Sequence, residues 1–270
     1  MKAAKPVAFV LASTAHGSML VNRFDYHEYQ PGRAYGVGQQ LLAFSRFEPQ
    51  EVELVLKLLQ ARKQCHGPGV LAVDCGANIG IHTIEWAKLM TGWGEVLAFE
   101  AQERIFYALA GNITLNNCFN ARAIWAALGE TSGEIGVPLP NYTQPSSFGS
   151  LEIRQNAKTE FIGQKIDYNH LVKTRMMSLD ELNLARLDLV KIDVEGMEID
   201  VLNGAQQTLR KFRPIMVIEK IKSDVAQLEA LLESWGYVLW TVGINFLAVH
   251  TTDPVRQQFS VQTQKNPMQP

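Results

Sequence analysis

The sequence predicts an α/β fold in which a doubly wound, mostly parallel sheet of seven strands carries helices on both faces. Three observations lead there. From Val70 to His250 short apolar runs alternate with helical periods, the mark of strand–helix–strand units whose strands run parallel. The first of these runs is followed at once by a glycine-bearing turn, Asp74 to Gly80, that opens a helix. The last two runs, Tyr237 to Val242 and Phe246 to His250, are separated only by a turn near Gly243, so they form a hairpin that makes one strand antiparallel.

Residues 1–67 are expected to form a β-rich arm plus a helix, a possible substrate or lid element. Lys2 and Lys5 precede the apolar stretch Pro6 to Ala12, but that stretch is short for a signal peptide and no small-residue cleavage site follows. It reads as a strand, Val7 to Ala12, turning at His16-Gly17 into a second strand, Met19 to Phe24. Val52, Val55, Leu56, Leu58 and Leu59 then recur at helical spacing, with Glu51 and Glu53 where a carboxylate suits the helix dipole. Gly67-Pro68-Gly69 punctuates the chain before a core domain over residues 68–252.

Within the core, Val70 to Val73 is a strand, His82 to Met90 a helix, Glu95 to Phe99 a strand, Arg104 to Leu115 a helix and Arg122 to Leu128 a third strand. Residues 130–177 carry Pro138, Pro140, Pro145 and several glycines without a helical period, which predicts a β-type insertion. Asp188 to Ile192 is the next strand. One helix is expected over Ile199 to Phe212, stopped by Arg210, Lys211 and Pro214. Ile215 to Ile218 is a strand, and the helix Val225 to Trp235 is capped by Asp224 with Gln227 three residues on and closed by Gly236. The Gln- and Pro-rich tail, residues 253–270, is expected to be disordered.

Composition narrows the function. Of 270 residues 47% are hydrophobic and 19% charged, with 25 basic against 27 acidic, a net charge of -2. That excludes intrinsic disorder and makes nucleic acid an unlikely partner, because grip on phosphates needs a basic field. No run approaches the roughly 18 apolar residues of a membrane span. Cys65, Cys75 and Cys118 lack metal-ligand spacing and cannot all pair, as expected of reduced thiols in a cytoplasmic protein.

The chemistry concentrates at strand ends. Asp74-Cys-Gly76-Ala77-Asn78-Ile-Gly80 follows the first core strand, where glycines let the backbone approach a ligand. A dinucleotide fingerprint would need glycine at 78 and 81, where this chain has Asn78 and Ile81, and Asp74 would repel a pyrophosphate. An acid there suits a ligand with a cationic amino-acid end, such as S-adenosyl-L-methionine. Glu100, ending the next strand, can accept the hydroxyl protons of a ribose, a device that nicotinamide enzymes share. Asp193 and Glu195 end the strand after the insertion, in Lys191-Ile-Asp-Val-Glu-Gly-Met-Glu198. They either face the cleft or serve the start of the following helix.

These blocks, with Ala98-Phe99-Glu100, Asn112 to Asn117 and Val201 to Ala205, resemble the FkbM family of class I methyltransferases over about Val70 to Tyr237. The Lys191 to Gly196 block is the most specific part. The family's usual proline after the second-strand Glu is replaced by Ala101. The resemblance implies a Rossmann-like class I methyltransferase sheet and methyl transfer from S-adenosylmethionine, most often to a hydroxyl of a metabolite or glycan. It implies cofactor contacts from Asp74, Gly76, Ala77, Asn78, Gly80, His82, Thr83, Glu100 and Ala101, with Thr83 at the methionine end. Asp193 and Glu195 are the candidate proton acceptors, ahead of His82 and Glu219. Metal-dependent O-methyltransferases add an Asp-Asn pair that is missing after Asp193, so no metal ligand is predicted.

Other acceptors and roles are weaker fits. Cytosine-C5 chemistry needs a Pro-Cys nucleophile, and adenine amino-methylation an Asn/Asp-Pro-Pro-aromatic block; neither occurs here. Methylation of a protein side chain or RNA, and a non-catalytic cofactor-binding module, remain as alternatives. Tyr142, Ser147 and Phe148 in the insertion, Glu219, and the segments Phe24 to Tyr29 and Arg33 to Gly38 are candidates for the acceptor side, or else ordinary surface hairpins.

Overall fold

The computed structural model describes residues 6–256. The N-terminal arm starts as an antiparallel hairpin of β1 (Phe9–Thr14) and β2 (Gly17–Asn22), followed by a second of β3 (His27–Gln30) and β4 (Arg33–Tyr35). The helix α1 (Val37–Phe44) has no counterpart in the sequence reading. Glycines at 36 and 38 make that stretch look like a loop, but the buried Asp25 carboxylate accepts the Gly38 N–H (3.1 Å) and anchors the helix start. Next comes α2 (Pro49–His66), with Pro49 in its first turn, Glu51 beside it, and Lys63 and His66 in the last turn.

The core alternates as its apolar runs require: β5 (Val70–Cys75), α3 (Ile81–Leu89), β6 (Gly94–Glu100), α4 (Glu103–Leu115) and β7 (Ala121–Trp125). The expected strand Arg122 to Leu128 is two. After β7 the Ala126 N–H bonds back to the Glu100 carbonyl, and β8 (Ala127–Leu128) leaves the sheet to pair with the insertion. There β9 (Gly133–Pro138) and β10 (Leu171–Met177) are antiparallel, giving a small sheet of order β8-β10-β9.

After β11 (Leu189–Ile192), the single helix expected over Ile199 to Phe212 is broken into α5 (Glu198–Asn203) and α6 (Gln206–Phe212). The break is tertiary. A side chain on Gly204 would collide with the Gly129 carbonyl, and Asp180 accepts the N–H groups of Gln207 and Thr208 at the new helix start. The chain closes with β12 (Ile215–Glu219), α7 (Val225–Ser234), β13 (Tyr237–Val242) and β14 (Asn245–His250). Asp224 caps α7 by accepting the Gln227 N–H.

The large sheet has the order β13-β14-β12-β11-β5-β6-β7. Only β14 among these seven runs against its neighbours. Period-two alternation divides the apolar residues between two faces. Val70, Ala72, Leu189, Ile215 and Val217 pack toward the cluster that includes α2 and α3 residues, while Val73, Val190, Ile192, Met216 and Ile218 pack with α5 to α7. The arm is clamped to the core by Asn112 of α4, fully buried, whose side-chain amide bonds both the N–H and the C=O of Leu20 and the carbonyl of Ile79. The tail expectation holds a correction: Asp253 is buried in an ion pair with Arg62, and Val255 is in the core. The rest of that expected tail, residues 257–270, lies outside the described residues.

Candidate active site

At the carboxyl ends of β5, β6, β11 and β12 lies a cavity of about 430 Å3, of a size and position that suit a ligand in an open α/β sheet. Its floor is the turn after β5. Gly76 and Ala77 donate their N–H groups to the Phe99 carbonyl (3.0 and 2.8 Å), which bends the chain across the tip of β6. Gly76 has a φ of 81°, and a Cβ there would strike the carbonyl oxygen of Asp193. The glycine is therefore required by the neighbouring strand as well as by any ligand. Gly80 has a similar role: it caps α3, and a Cβ on it would meet Leu109 of α4. Gly80 stands behind the cavity wall, not in it.

Asp74 and Glu100 end adjacent strands and both face the cavity. Asp74 is buried; Thr83 donates its hydroxyl to Oδ2 at 2.6 Å. Thr83 is fully buried, so it positions Asp74 instead of touching a ligand. Glu100 accepts the N–H of Asn78 at Oε2 (2.9 Å) and of Gln102 at Oε1 (2.8 Å). Burial pushes its carboxyl up to about 7, against the pull of those amides. Ala77, Asn78 and Ala101 complete this part of the wall.

The opposite wall is charged. Asp193 accepts Lys191 Nζ at 2.6 Å, and its side chain is 32% exposed to the cavity. Glu195, in the left-handed region at φ 56°, pairs with Lys222 at 2.6 Å and is 16% exposed. Neither caps the next helix. Glu198, the first residue of that helix, instead holds the turn before it: its Oε1 accepts the N–H groups of Val194 and Gly196, and Ser223 holds its other oxygen. Glu219 ends β12 beside them. Burial alone would lower the Lys191 ammonium, but Asp193, Glu51 and Asp74 around it outweigh burial and raise it.

The arm and the insertion close the cavity in ways the sequence did not show. Glu51, read only as a helix-dipole residue, sits 3.2 Å from His82 Nε2 and accepts Asn245 Nδ2 at 2.7 Å. Burial would raise its carboxyl, but His82 and Lys191 outweigh that and hold it low. Tyr35 lines the cavity, its hydroxyl donating to Glu48 (3.4 Å); partial burial and the charges of Glu48, Asp193, Glu195 and Glu219 push its phenol up. From the insertion, Ser147 reaches the wall, and Lys222 ties the insertion down through the Ser150 carbonyl (2.9 Å) and Glu160 (3.1 Å). Tyr142 and Phe148 stand behind it. Phe148 is fully buried, its ring 4.8 Å from Tyr142, whose hydroxyl donates to Gln102. Of the missed residues, Lys191 alone left a signal, a cation inside an apolar strand.

A seven-stranded sheet with one reversed strand, and buried acids at the tips of two adjacent parallel strands, defines an α/β domain of the class I methyltransferase type. The comparisons agree with that class. The Methyltransferase FkbM domain family matches residues 74–239, more than half of the chain. "Methyltransferase 1" of Beauveria bassiana (strain ARSEF 2860) is 28% identical over 184 residues, covering 62% of this chain and 72% of that protein. Methyltransferase sdnD of Sordaria araneosa is 28% identical over 188 residues, covering 61% and 72%. Among solved structures, Methyltransferase FkbM from Methylobacillus flagellatus KT aligns with a TM-score of 0.45 at 18% identity. That alignment covers 68% of this chain and 41% of that protein. The chain belongs to the FkbM family of methyltransferases.

Proposed function

We propose that the protein binds S-adenosyl-L-methionine in this cavity and methylates a hydroxyl of a metabolite or glycan in the cytoplasm. The observation that carries the cofactor is the pair of buried, oriented carboxylates, Asp74 and Glu100, on adjacent strand tips across the 76–78 turn. A carboxylate at the first tip fits a cationic ligand, and one at the second fits ribose hydroxyls. When bound, the cofactor supplies a methyl group on a sulfonium sulfur. The chain supplies the rest. Asp74, Gly76, Ala77, Asn78, Glu100 and Ala101 would hold it, and the arm and insertion exclude water. Asp193, steadied by Lys191, takes the proton of the acceptor hydroxyl. Buried free Cys75 and Cys118 suit a reducing compartment.

Calorimetric titration of S-adenosylmethionine and NAD tests the reading. The first should bind and the second should not. Asp74→Ala should weaken binding by roughly 30-fold or more, the usual cost of removing one member of a buried charged contact. An unchanged affinity in that variant would sink the proposal, and binding without turnover on any hydroxyl acceptor would reduce it to a non-catalytic module.

The raised Glu100 carboxyl adds a pH signature. Below about 7 the group carries a proton; above it, the carboxylate accepts ribose hydroxyls. Affinity should therefore climb by roughly fivefold from pH 6 to 8, the difference of about 1 kcal/mol between neutral and charged hydrogen bonds. Glu100→Gln should flatten that rise. The stability of the ligand-free fold should show the opposite trend, falling as pH climbs from the unfolded carboxyl value toward about 7, because the buried group is then forced to ionise.

A further inference from the structure

We propose that Asp193, Glu195 and Glu219 form a site for one hard divalent cation of the Mg2+, Mn2+ or Ca2+ kind. The three come from the tips of β11 and β12, which are hydrogen-bonded neighbours, and one oxygen of each lies within 4.8 Å of the other two. Oxygens on opposite sides of such an ion, bound at about 2.1–2.4 Å, stand about 4.2–4.8 Å apart. The acids are thus close enough together to share one ion.

A second observation points the same way. Glu219 is 7% exposed and forms part of the cavity wall, and its buried Oε2 has no hydrogen-bond partner. Two ammonium groups serve the cluster, Lys191 on Asp193 and Lys222 on Glu195. Neither forms an ion pair with Glu219 among the described residues. The adjacent Lys220 turns away, to the Thr241 hydroxyl and the face of Phe246. Among the described residues Glu219 therefore has no ion pair of its own in a buried wall, a state that a cation relieves. The donors are oxygen alone, which favours a hard ion over zinc or copper. Three carboxylates fill only part of a six- to eight-oxygen shell, leaving positions for water and for an oxygen of the acceptor, whose hydroxyl pKa the ion would lower. That last role rests on the methyltransferase reading; the cation site does not.

The test is a titration of the full chain, stripped with EDTA and desalted, with Mn2+ followed by the electron paramagnetic resonance signal of the free ion. Mg2+ and Ca2+ serve as competitors. One equivalent should bind, and Glu219→Gln, which keeps the shape of the side chain, should weaken it by about tenfold or more. Glu134→Gln, an exposed carboxylate paired with Lys173 on the small sheet, should bind as the parent does. Unfolding temperatures in EDTA check that the variants fold, and Asp193→Asn replaces Glu219→Gln if that one does not. No saturable binding in the millimolar range, or binding unaffected in the folded variant, overturns the site. Measuring S-adenosylmethionine in EDTA separates the two readings: a chain that binds it but takes up no Mn2+ loses only the cation site.

Discussion

Gly76→Ala is expected to lower the unfolding temperature by roughly 6–12 °C and to abolish cofactor binding, at a cost of about 3 kcal/mol. Two terms add. An alanine at φ 81° sits in the left-handed region, which costs about 1–2 kcal/mol for a residue with a Cβ. The Cβ would also strike the Asp193 carbonyl, a backbone atom held in place because the Asp193 N–H bonds to Cys75. Moving it means parting β5 from β11 at the place where both cavity walls begin. Gly92→Ala is the control. Its φ is 79°, but nothing lies within 4 Å of an added Cβ, so it should cost about 1–2 kcal/mol and leave binding intact. Thermal melts and titrations of both variants check the account. Equal losses would show that backbone strain, not the close approach of the strands, makes Gly76 necessary.

Asp193→Asn should reduce kcat by about 100- to 10,000-fold, the usual contribution of a positioned general base, with cofactor affinity nearly unchanged. Of the three clustered acids Asp193 is the most open, its side chain 32% exposed against 16% for that of Glu195, while Glu219 is buried. Its Oδ2 is held by Lys191 at 2.6 Å, and the residue lines the cavity. Glu195 is held by Lys222, and burial and the neighbouring Asp193 push its carboxyl up. Glu195→Gln should accordingly cost much less. Single-turnover rates on a competent acceptor decide between them, and the reverse order of effects would transfer the base to Glu195.

Much of this site is legible before any coordinates. Asp74, Glu100 and Asp193 stand out because each interrupts an apolar run at its end, and parallel strands deliver their ends to one edge. The divided helix at Gly204 was not legible. Both halves share one helical period, and the break comes from the Gly129 backbone, some 75 residues earlier in sequence. The division of Arg122 to Leu128 between two sheets was hidden likewise, since apolar strand residues look the same whichever sheet they join.

By itself, then, the sequence determined the α/β class, the succession of elements and the acids at the strand tips, all set by local spacing and turn chemistry. Tertiary structure decided which of those acids meet. It brought Glu219 beside Asp193 and Glu195, and carried Glu51 to His82 and Tyr35 to the acid cluster. It also placed Thr83 behind Asp74, and Phe148 and Tyr142 behind the wall. Hydrophobic periodicity reports which face of an element is buried and is silent about its neighbour; the neighbour is fixed by strand order and by contacts between residues far apart in the chain.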